Sequence, residues 1–467
     1  PDSLALLHLL WRWSREGGGR LRAVQVDHAL RPGSGAEAAR VAAFCAARGI
    51  PVSLRRVEPG AIAGGRAGLE EAARAERYRL FAAEARAHGA RALALGHQAD
   101  DQAETLLLHL LRGAGLAGLA GMPTIRRSGD LLDHLAAGAR PAIWRPLLTV
   151  RRAAILAYCR AHGLDPSHDP SNDDITLRRN AIRHRVLPLL EEHFPDATAI
   201  LAREARLLAD DEAWQGQETA RAWARCATTA EGLVLLDRAA FRAEHRAVQR
   251  RLLRRAWLGV RGLTSALGLG QEATEAARLG VVGGRSGGRW ALPGGVAVLV
   301  ERERAAVGPA GTIEAALRLL LRLPLIAPGW SAPAGVPGDI PLPDGWGVRV
   351  ARGGAIGSSR VALALPGDWP GEAGPPLLRS WQPGDRLVLP GGRGTQKLQD
   401  WFVDHHIPRH ARGHLPLLAV GSRILWIAGL AAFPPAAAQI APGTPTLTLR
   451  LLYNGVPVEA GPGTGER

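Results

Sequence analysis

Lysine is almost absent from this 467-residue chain: Lys397 is the single one among 58 basic residues, and the others are arginine. A guanidinium stays charged wherever it sits and meets phosphates and carboxylates through two parallel N–H bonds. Cysteine is nearly as scarce. Cys45, Cys159 and Cys226 lie far apart and form no Cys-x-x-Cys pair, which argues against a disulfide framework and a cysteine zinc site and fits a reducing cytoplasm. No apolar run reaches the length of a membrane span, so no membrane role is expected. Leu4 to Trp13 is apolar but lacks the charged front and cleavage site of a secretory signal. The chain opens on Pro1 rather than methionine, and Pro1-Asp2-Ser3 leads into a helix with no strand before it. A preceding segment is therefore expected to be missing.

Arginine, alanine, glycine and proline are all abundant, as a GC-rich genome gives, so part of the arginine preference is compositional. The excess over 43 acids is a physical matter. It leaves a net charge of +15 and a pI near 11.2, and such a surface calls for a polyanionic partner, here nucleic acid. With 46% apolar residues the chain reads as a globular protein of two or three domains.

The first two hundred residues alternate strand and helix. Residues 4–13 read as a buried helix, Leu21–His28 as a strand ending in two polar residues, and Ala36–Arg48 as a helix. Pro51–Val57 reads as a strand, and Glu70–His88 as a helix. This β-α-β-α-β order predicts an α/β fold, a doubly wound parallel sheet with helices on both faces. Helical patterning then runs to about Ala230, a hairpin is expected over Arg289–Val300, and 305–375 is rich in Pro, Gly and Ala, open to short strands or a loose linker. The expected domains are 1–200 (catalytic), 201–305 (a mostly helical middle domain), 306–378 (linker or extension), 379–455 (a small α/β C-terminal domain) and 456–467 (a disordered tail). No fixed-period repeat is found.

The stretch Gly96-His97-Gln98-Ala99-Asp100-Asp101-Gln102-Ala103-Glu104-Thr105 follows an apolar run and precedes a helical one. It reads as strand end, polar turn and helix start, the place where open α/β sheets put ligands. Asp101 and Glu104 are three apart and share a helical face. An acidic capping box would show the same pattern.

The resemblance lies in the order of the motifs. Pro1-Asp2-Ser3 looks like the end of the phosphate-gripping Ser-Gly-Gly-x-Asp-Ser loop of N-type ATP pyrophosphatases, and Val26-Asp27-His28 looks like a second signature. The Gly96–Thr105 motif, Arg112-Gly113-Ala114-Gly115, Arg145-Pro146-Leu147-Leu148 and Asp169-Pro170-Ser171-Asn172 follow. Then come Arg179-Asn180-Ala181-Ile182-Arg183, Leu292-Pro293-Gly294-Gly295, Gln382-Pro383-Gly384-Asp385-Arg386 and Lys397-Leu398-Gln399-Asp400-Trp401. Together they resemble one family, the tRNA(Ile)-lysidine synthetases. The resemblance implies ligation of free L-lysine to C2 of the wobble cytidine (position 34) of tRNA(Ile) with a CAU anticodon. The reaction consumes ATP with Mg2+ and passes through an adenylated cytidine. It also implies roles. Pro1, Asp2, Ser3, Asp27 and His28 bind ATP, with Asp2 the magnesium carboxylate. Asp101, Glu104 and Arg179 hold lysine, while Asp2, Asp101, Glu104 and His97 form the catalytic set. Arg112, Arg145, Arg183, Arg386, Lys397, Arg409 and Arg412 contact tRNA, with Arg126, Arg127, Arg151, Arg152 and Arg393 as further basic candidates. His405, His406, His410 and His414 lack a cysteine or acidic ligand at metal spacing and are read as RNA contacts or surface. A homodimer is also expected. The chain departs from the family at Gln98, where many relatives show a second histidine, and at Gln396, where they show a second lysine. Two other readings remain at this point: another pyrophosphatase-loop tRNA enzyme such as a thiolase, and a non-catalytic tRNA-binding relative.

Overall fold

In the computed structural model the described residues are 1–27, 34–57, 66–126, 141–166, 173–263, 268–353, 358–366, 374–388, 394–433 and 446–459. They form two units, Pro1–Ala220 and Arg221–Arg467. The division falls inside one 30-residue helix, Ala197–Cys226.

The first unit runs α1 (Asp2–Arg15), β1 (Ala23–Asp27), α2 (Ser34–Ala46), β2 (Val52–Arg56), α3 (Arg66–Ala87), β3 (Ala92–Ala94), α4 (Ala99–Leu111), α5 (Leu116–Leu119), β4 (Ile125–Arg126), β5 (Ala142–Trp144) and α6 (Arg152–Ala161). β1 and β2 pair in parallel, Ala23 opposite Val52 and Asp27 opposite Arg56. β3 and β5 are also parallel, Ala92 opposite Ala142, and β4 adds antiparallel to β5. Parallel neighbours need a crossover between them, and helices supply it. The apolar stripe of α1 makes two contacts. Ala5 and Leu6 pack with Leu147, Ile155, Cys159 and Leu164, while Leu7 and Trp11 reach Ala23, Cys45 and Ile50. Tyr78 and Ala82 of α3 pack on Ile143.

Beyond α6 the chain forms α7 (Arg178–Ala181), a π-helical turn (Ile182–Val186) and α8 (Leu187–His193). Ile182 and Leu187 pack against Ala103 of α4. That apolar contact lays the arginine-bearing face of this helix over the start of α4.

In the second unit, strands Ala227–Ala230, Leu233–Asp237, Arg304–Pro309, Val296–Val300 and Arg289–Leu292 form an antiparallel sheet in that spatial order. Residues of helices Arg246–Arg261 and Gln271–Gly283, among them Leu252, Trp257 and Val281, share its core. The predicted Arg289–Val300 hairpin is present. The helix predicted to Ala230 stops at Cys226, because Thr228 and Thr229, opposite Leu235 and Val234, gain strand partners that suit β-branched side chains better than a helix does.

Residues 305–375 carry strands, including Gly338–Pro341, Trp346–Arg352 and Ala362–Pro366. The last two flank the late strand Thr446–Tyr453, so a segment 80 to 100 residues downstream organises them. Val456–Pro457 pairs with Leu452–Tyr453; the rest of the expected tail, from 460, lies outside the described residues. Among the described residues no helix is long and apolar enough to cross a membrane.

Candidate active site

The site is built on the first turn of α4. Gln98 precedes the helix in extended conformation, and its Oε1 accepts the Asp100 N–H at 2.7 Å. Asp101 Oδ2 accepts the Gln98 N–H at 3.0 Å, a reciprocal cap that satisfies two donors otherwise orphaned at a helix start. Capping thus uses one oxygen of Asp101 and leaves the other, Oδ1, for a different partner.

Arg179 and Arg183 reach that other side. Glu104 Oε1 accepts Arg183 Nε at 2.6 Å, and Oε2 accepts Arg179 Nε at 2.8 Å and Arg183 Nη2 at 3.0 Å. Asp101 Oδ1 takes Arg183 Nη2 at 3.1 Å and lies 3.4 Å from Arg179 Nη2. Two carboxylates and two guanidiniums make a neutral quartet, with Glu104 fully buried and Asp101 12% exposed. Burial raises the pKa of Asp101; Arg179 opposes this and the Glu104 charge adds to it. Burial also works against the Arg183 charge, but the Glu104 hydrogen bonds and the two carboxylates hold its pKa above the ordinary value.

His97 is half-buried, and Arg145 Nε donates to its Nδ1 at 3.3 Å. An accepting Nδ1 puts the proton of the neutral ring on Nε2. Arg145 is 3% exposed and also donates to the Pro123 carbonyl at 2.8 Å. Arg145, expected as an RNA contact, thus bridges His97 and the Met122–Pro123 segment. Gln102, which the sequence reading did not single out, grips the same segment. Its amide donates to Met122 O at 3.1 Å and accepts from Met122 N at 2.8 Å. The only local signal was a glutamine on the apolar face of α4, where Ala99, Ala103 and Leu106 are buried.

Asp2 stands at the start of α1. Its Oδ2 accepts Arg152 Nη1 at 3.1 Å, and its Oδ1 is buried without a partner among the described residues. Asp100, also missed, turns away from the quartet. Its Oδ2 accepts the backbone N–H of Arg152 at 2.9 Å and Arg151 Nε at 3.3 Å, capping α6. Asp27 ends β1 with its Oδ2 3.8 Å from Arg56 Nε. Ser3 is exposed, and Pro1 contributes its carbonyl to the Ala5 N–H at 2.8 Å. His28, Arg127, Asp169–Asn172 and Arg393 lie outside the described residues.

Gly96 joins the two halves of the site. A Cβ there would stand 2.9 Å from the Asp2 carbonyl carbon and from Ser3 N. Both are backbone atoms that cannot swing aside. Gly96→Ala is expected to push Asp2–Ser3 off the strand end, costing about 1–3 kcal/mol of stability and weakening ATP binding at least about tenfold. Titration of intrinsic tryptophan fluorescence with ATP checks it; unchanged affinity would separate Gly96 from the nucleotide site.

Of the expected RNA contacts, Arg112 is exposed at the end of α4. Arg183 belongs to the quartet and is 22% exposed. Arg386, Lys397 and Arg409 are exposed in the second unit, with Arg386 opposite Lys397 on paired strands. Arg412 is half-buried and donates to Ile407 O at 2.9 Å. All three cysteines are buried, and burial pushes each thiol's pKa up, contrary to the exposed, acidic thiol that sulfur-transfer chemistry uses.

Residues 1–190 match a family described as the PP-loop domain, so the first unit carries a PP-loop ATP-binding fold. Residues 377–447 match a TilS substrate C-terminal domain. The tRNA(Ile)-lysidine synthase of Symbiobacterium thermophilum is 38% identical over 92% of this chain and 88% of its own length. Those of Geobacter sulfurreducens and Geobacillus kaustophilus are 34% and 32% identical, again over 92% of this chain, and over 86% and 89% of their own lengths. The chain belongs to the tRNA(Ile)-lysidine synthase family.

Proposed function

We infer that this protein ligates L-lysine to C2 of the wobble cytidine, position 34, of tRNA(Ile) with a CAU anticodon, through an adenylated cytidine. The cytosine C2 oxygen bonds to the α-phosphorus of ATP and diphosphate leaves. The lysine ε-amine, having given up a proton, then bonds to C2, and AMP leaves with the C2 oxygen. Chemistry belongs to residues 1–200 and tRNA contact to 201–305 and 379–455. The setting is the cytoplasm, in keeping with three free thiols.

Asp101 is the carboxylate suited to the lysine amine. Glu104 has both oxygens committed to arginines, whereas Asp101 is the more exposed of the two and burial raises its pKa, which makes it the better proton acceptor of the pair. Glu104 then acts by fixing Arg179 and Arg183. Arg179 is 29% exposed, and its Nη1 is uncommitted among the described residues, a donor for the substrate carboxylate. His97, oriented by Arg145, donates from Nε2 toward developing oxygen charge.

The donor set at Asp2 fits magnesium. That ion takes oxygen ligands, keeps several waters and needs only one or two carboxylates beside the nucleotide phosphates, and Asp2 Oδ1 is a buried oxygen without a partner among the described residues. Asp2 would hold the ion, which when bound neutralises triphosphate charge.

The observation that carries this reading is the convergence of Asp101, Glu104, Arg179 and Arg183 beside Asp2 and Gly96 in a chain of this family. With ATP, the protein is expected to transfer radiolabelled lysine to a CAU-anticodon tRNA(Ile) transcript and not to one lacking cytidine at the wobble position. Normal tRNA binding without incorporation would overturn the enzyme reading.

A further inference from the structure

The second unit contains a cavity of 220 Å³ lined by Ser286, Gly287, Glu301, Glu314, Arg409 and His410, among others. It lies where the end of strand Val296–Val300, helix Ile313–Leu319 and the short helix Arg409–Arg412 come together. The volume is several times the roughly 30 Å³ that one water occupies.

Two of the lining side chains are almost withdrawn from solvent. Glu301 is 10% and His410 5% exposed, with His410 Nδ1 3.7 Å from Glu301 Oε1, too far for a hydrogen bond. The second Glu301 oxygen takes Arg304 Nε. Glu301 Oε1 and His410 Nε2 have no hydrogen-bond partner among the described residues. Folded proteins rarely leave a buried polar atom unmet, and an unmet one marks a bound group. Here two occur side by side on one cavity.

Their chemistry narrows the occupant. Burial lowers the His410 pKa despite the opposing Glu301 charge, so the ring is neutral at pH 7. The Glu301 charge, 3.7 Å from Nδ1, favours the ring proton on that nitrogen, which leaves Nε2 as a lone pair. Both free atoms are therefore acceptors. On the rim Glu314 lies 3.8 Å from Arg289, which leaves Arg409 as the charge without an ion-pair partner among the described lining residues. Arg409 is exposed, and its stem crosses Gly287, where the backbone φ is +87° and a Cβ would stand 3.2 Å from Arg409 Cδ. An inorganic phosphate suits Arg409 but offers nothing to two acceptors, and an ammonium suits the acceptors but leaves Arg409 without a partner. A base with an amino group, carried on a phosphate, suits both.

We propose that this cavity takes one unpaired, amino-bearing nucleotide of the bound tRNA, with Glu301 and His410 accepting from the base and Arg409 meeting its phosphate. The proposal rests on the reading of tRNA as the substrate. Any adenine, cytosine or guanine whose pairing edge is free has the required donors; uracil has no amino group.

His410→Phe keeps the ring's shape and removes both nitrogens. Its affinity for CAU-anticodon tRNA(Ile), measured by filter binding, is expected to fall about tenfold, or ~1.4 kcal/mol, with no loss in melting temperature and no change in KM for lysine or ATP. If His410→Phe does not fold, Glu301→Gln is read the same way, since its amide oxygen can keep Arg304 while its amide nitrogen replaces an acceptor with a donor. A variant that is more thermostable and binds tRNA as tightly as wild type shows a cavity of water and overturns the proposal. Unchanged tRNA affinity together with millimolar binding of AMP, CMP or GMP, seen by saturation-transfer NMR with UMP as control, overturns it in favour of a free nucleotide. Failure of the wild-type protein to bind tRNA at all falls on the functional reading instead.

Discussion

Glu104→Ala is expected to lose about 3 kcal/mol of stability and all detectable lysine transfer. The side chain is fully buried and accepts three arginine N–H bonds. Its removal leaves two guanidiniums, 29% and 22% exposed, sharing one remaining carboxylate. Breaking a buried pair by deleting one partner costs about 3–5 kcal/mol, and the partial exposure of the arginines places this case at the low end. Against a typical stability of about 5–15 kcal/mol, such a loss is large enough to lower the yield of folded protein. Urea unfolding of both proteins measures it. Glu104→Gln keeps shape and one acceptor oxygen and is expected to lose about half as much. A Glu104→Ala protein within about 0.5 kcal/mol of wild type would show that the quartet contributes little to the fold.

Asp101→Asn is expected to abolish lysine transfer while leaving ATP-dependent adenylation, followed as diphosphate release with tRNA, largely intact. The asparagine oxygen can still accept the Gln98 N–H that caps α4, so the helix start survives at a cost of about 1 kcal/mol. What goes is the negative charge and the proton-accepting capacity facing Arg179 and Arg183. A drop in transfer of at least about 10²-fold fits the loss of a general base. The pH dependence gives a second measure. The folded-state pKa of Asp101 lies above the ordinary aspartate value, chiefly because the group is buried. In the interval between those two values the native state holds a proton that the unfolded chain has released, so stability falls as pH rises through it. That fall is present in wild type and absent from Asp101→Asn. Normal lysine turnover by the variant, or an identical pH profile of stability, would remove Asp101 from the proposed role.

The strand, turn and helix around Gly96–Thr105 were legible because their signals are local. The apolar run, the polar turn and the acids at the helix start all act within ten residues, where backbone periodicity and capping decide structure. The individual strands β1 and β2, and the hairpin around Pro293-Gly294-Gly295, were legible for the same reason. The motif order carried the family. Asp101 and Glu104 share a helical face and are paired by the sequence itself, whereas the assignment of Arg179 to lysine and Arg183 to RNA came from the family resemblance. The structure puts both on Glu104.

What the sequence by itself determined was an arginine-rich, cysteine-poor α/β chain with an acidic helix start at a strand end. The tertiary structure decided which charges are spent inside the protein and which face outward. Arg145 and Arg183 read like Arg112 in the sequence, yet the first two are held against Pro123 and Glu104 while the third is exposed. Likewise strand Trp346–Arg352 waits for Thr446–Tyr453, its partner a hundred residues on. These outcomes depend on desolvation and on contacts between distant segments, and neither is encoded in any single window of residues.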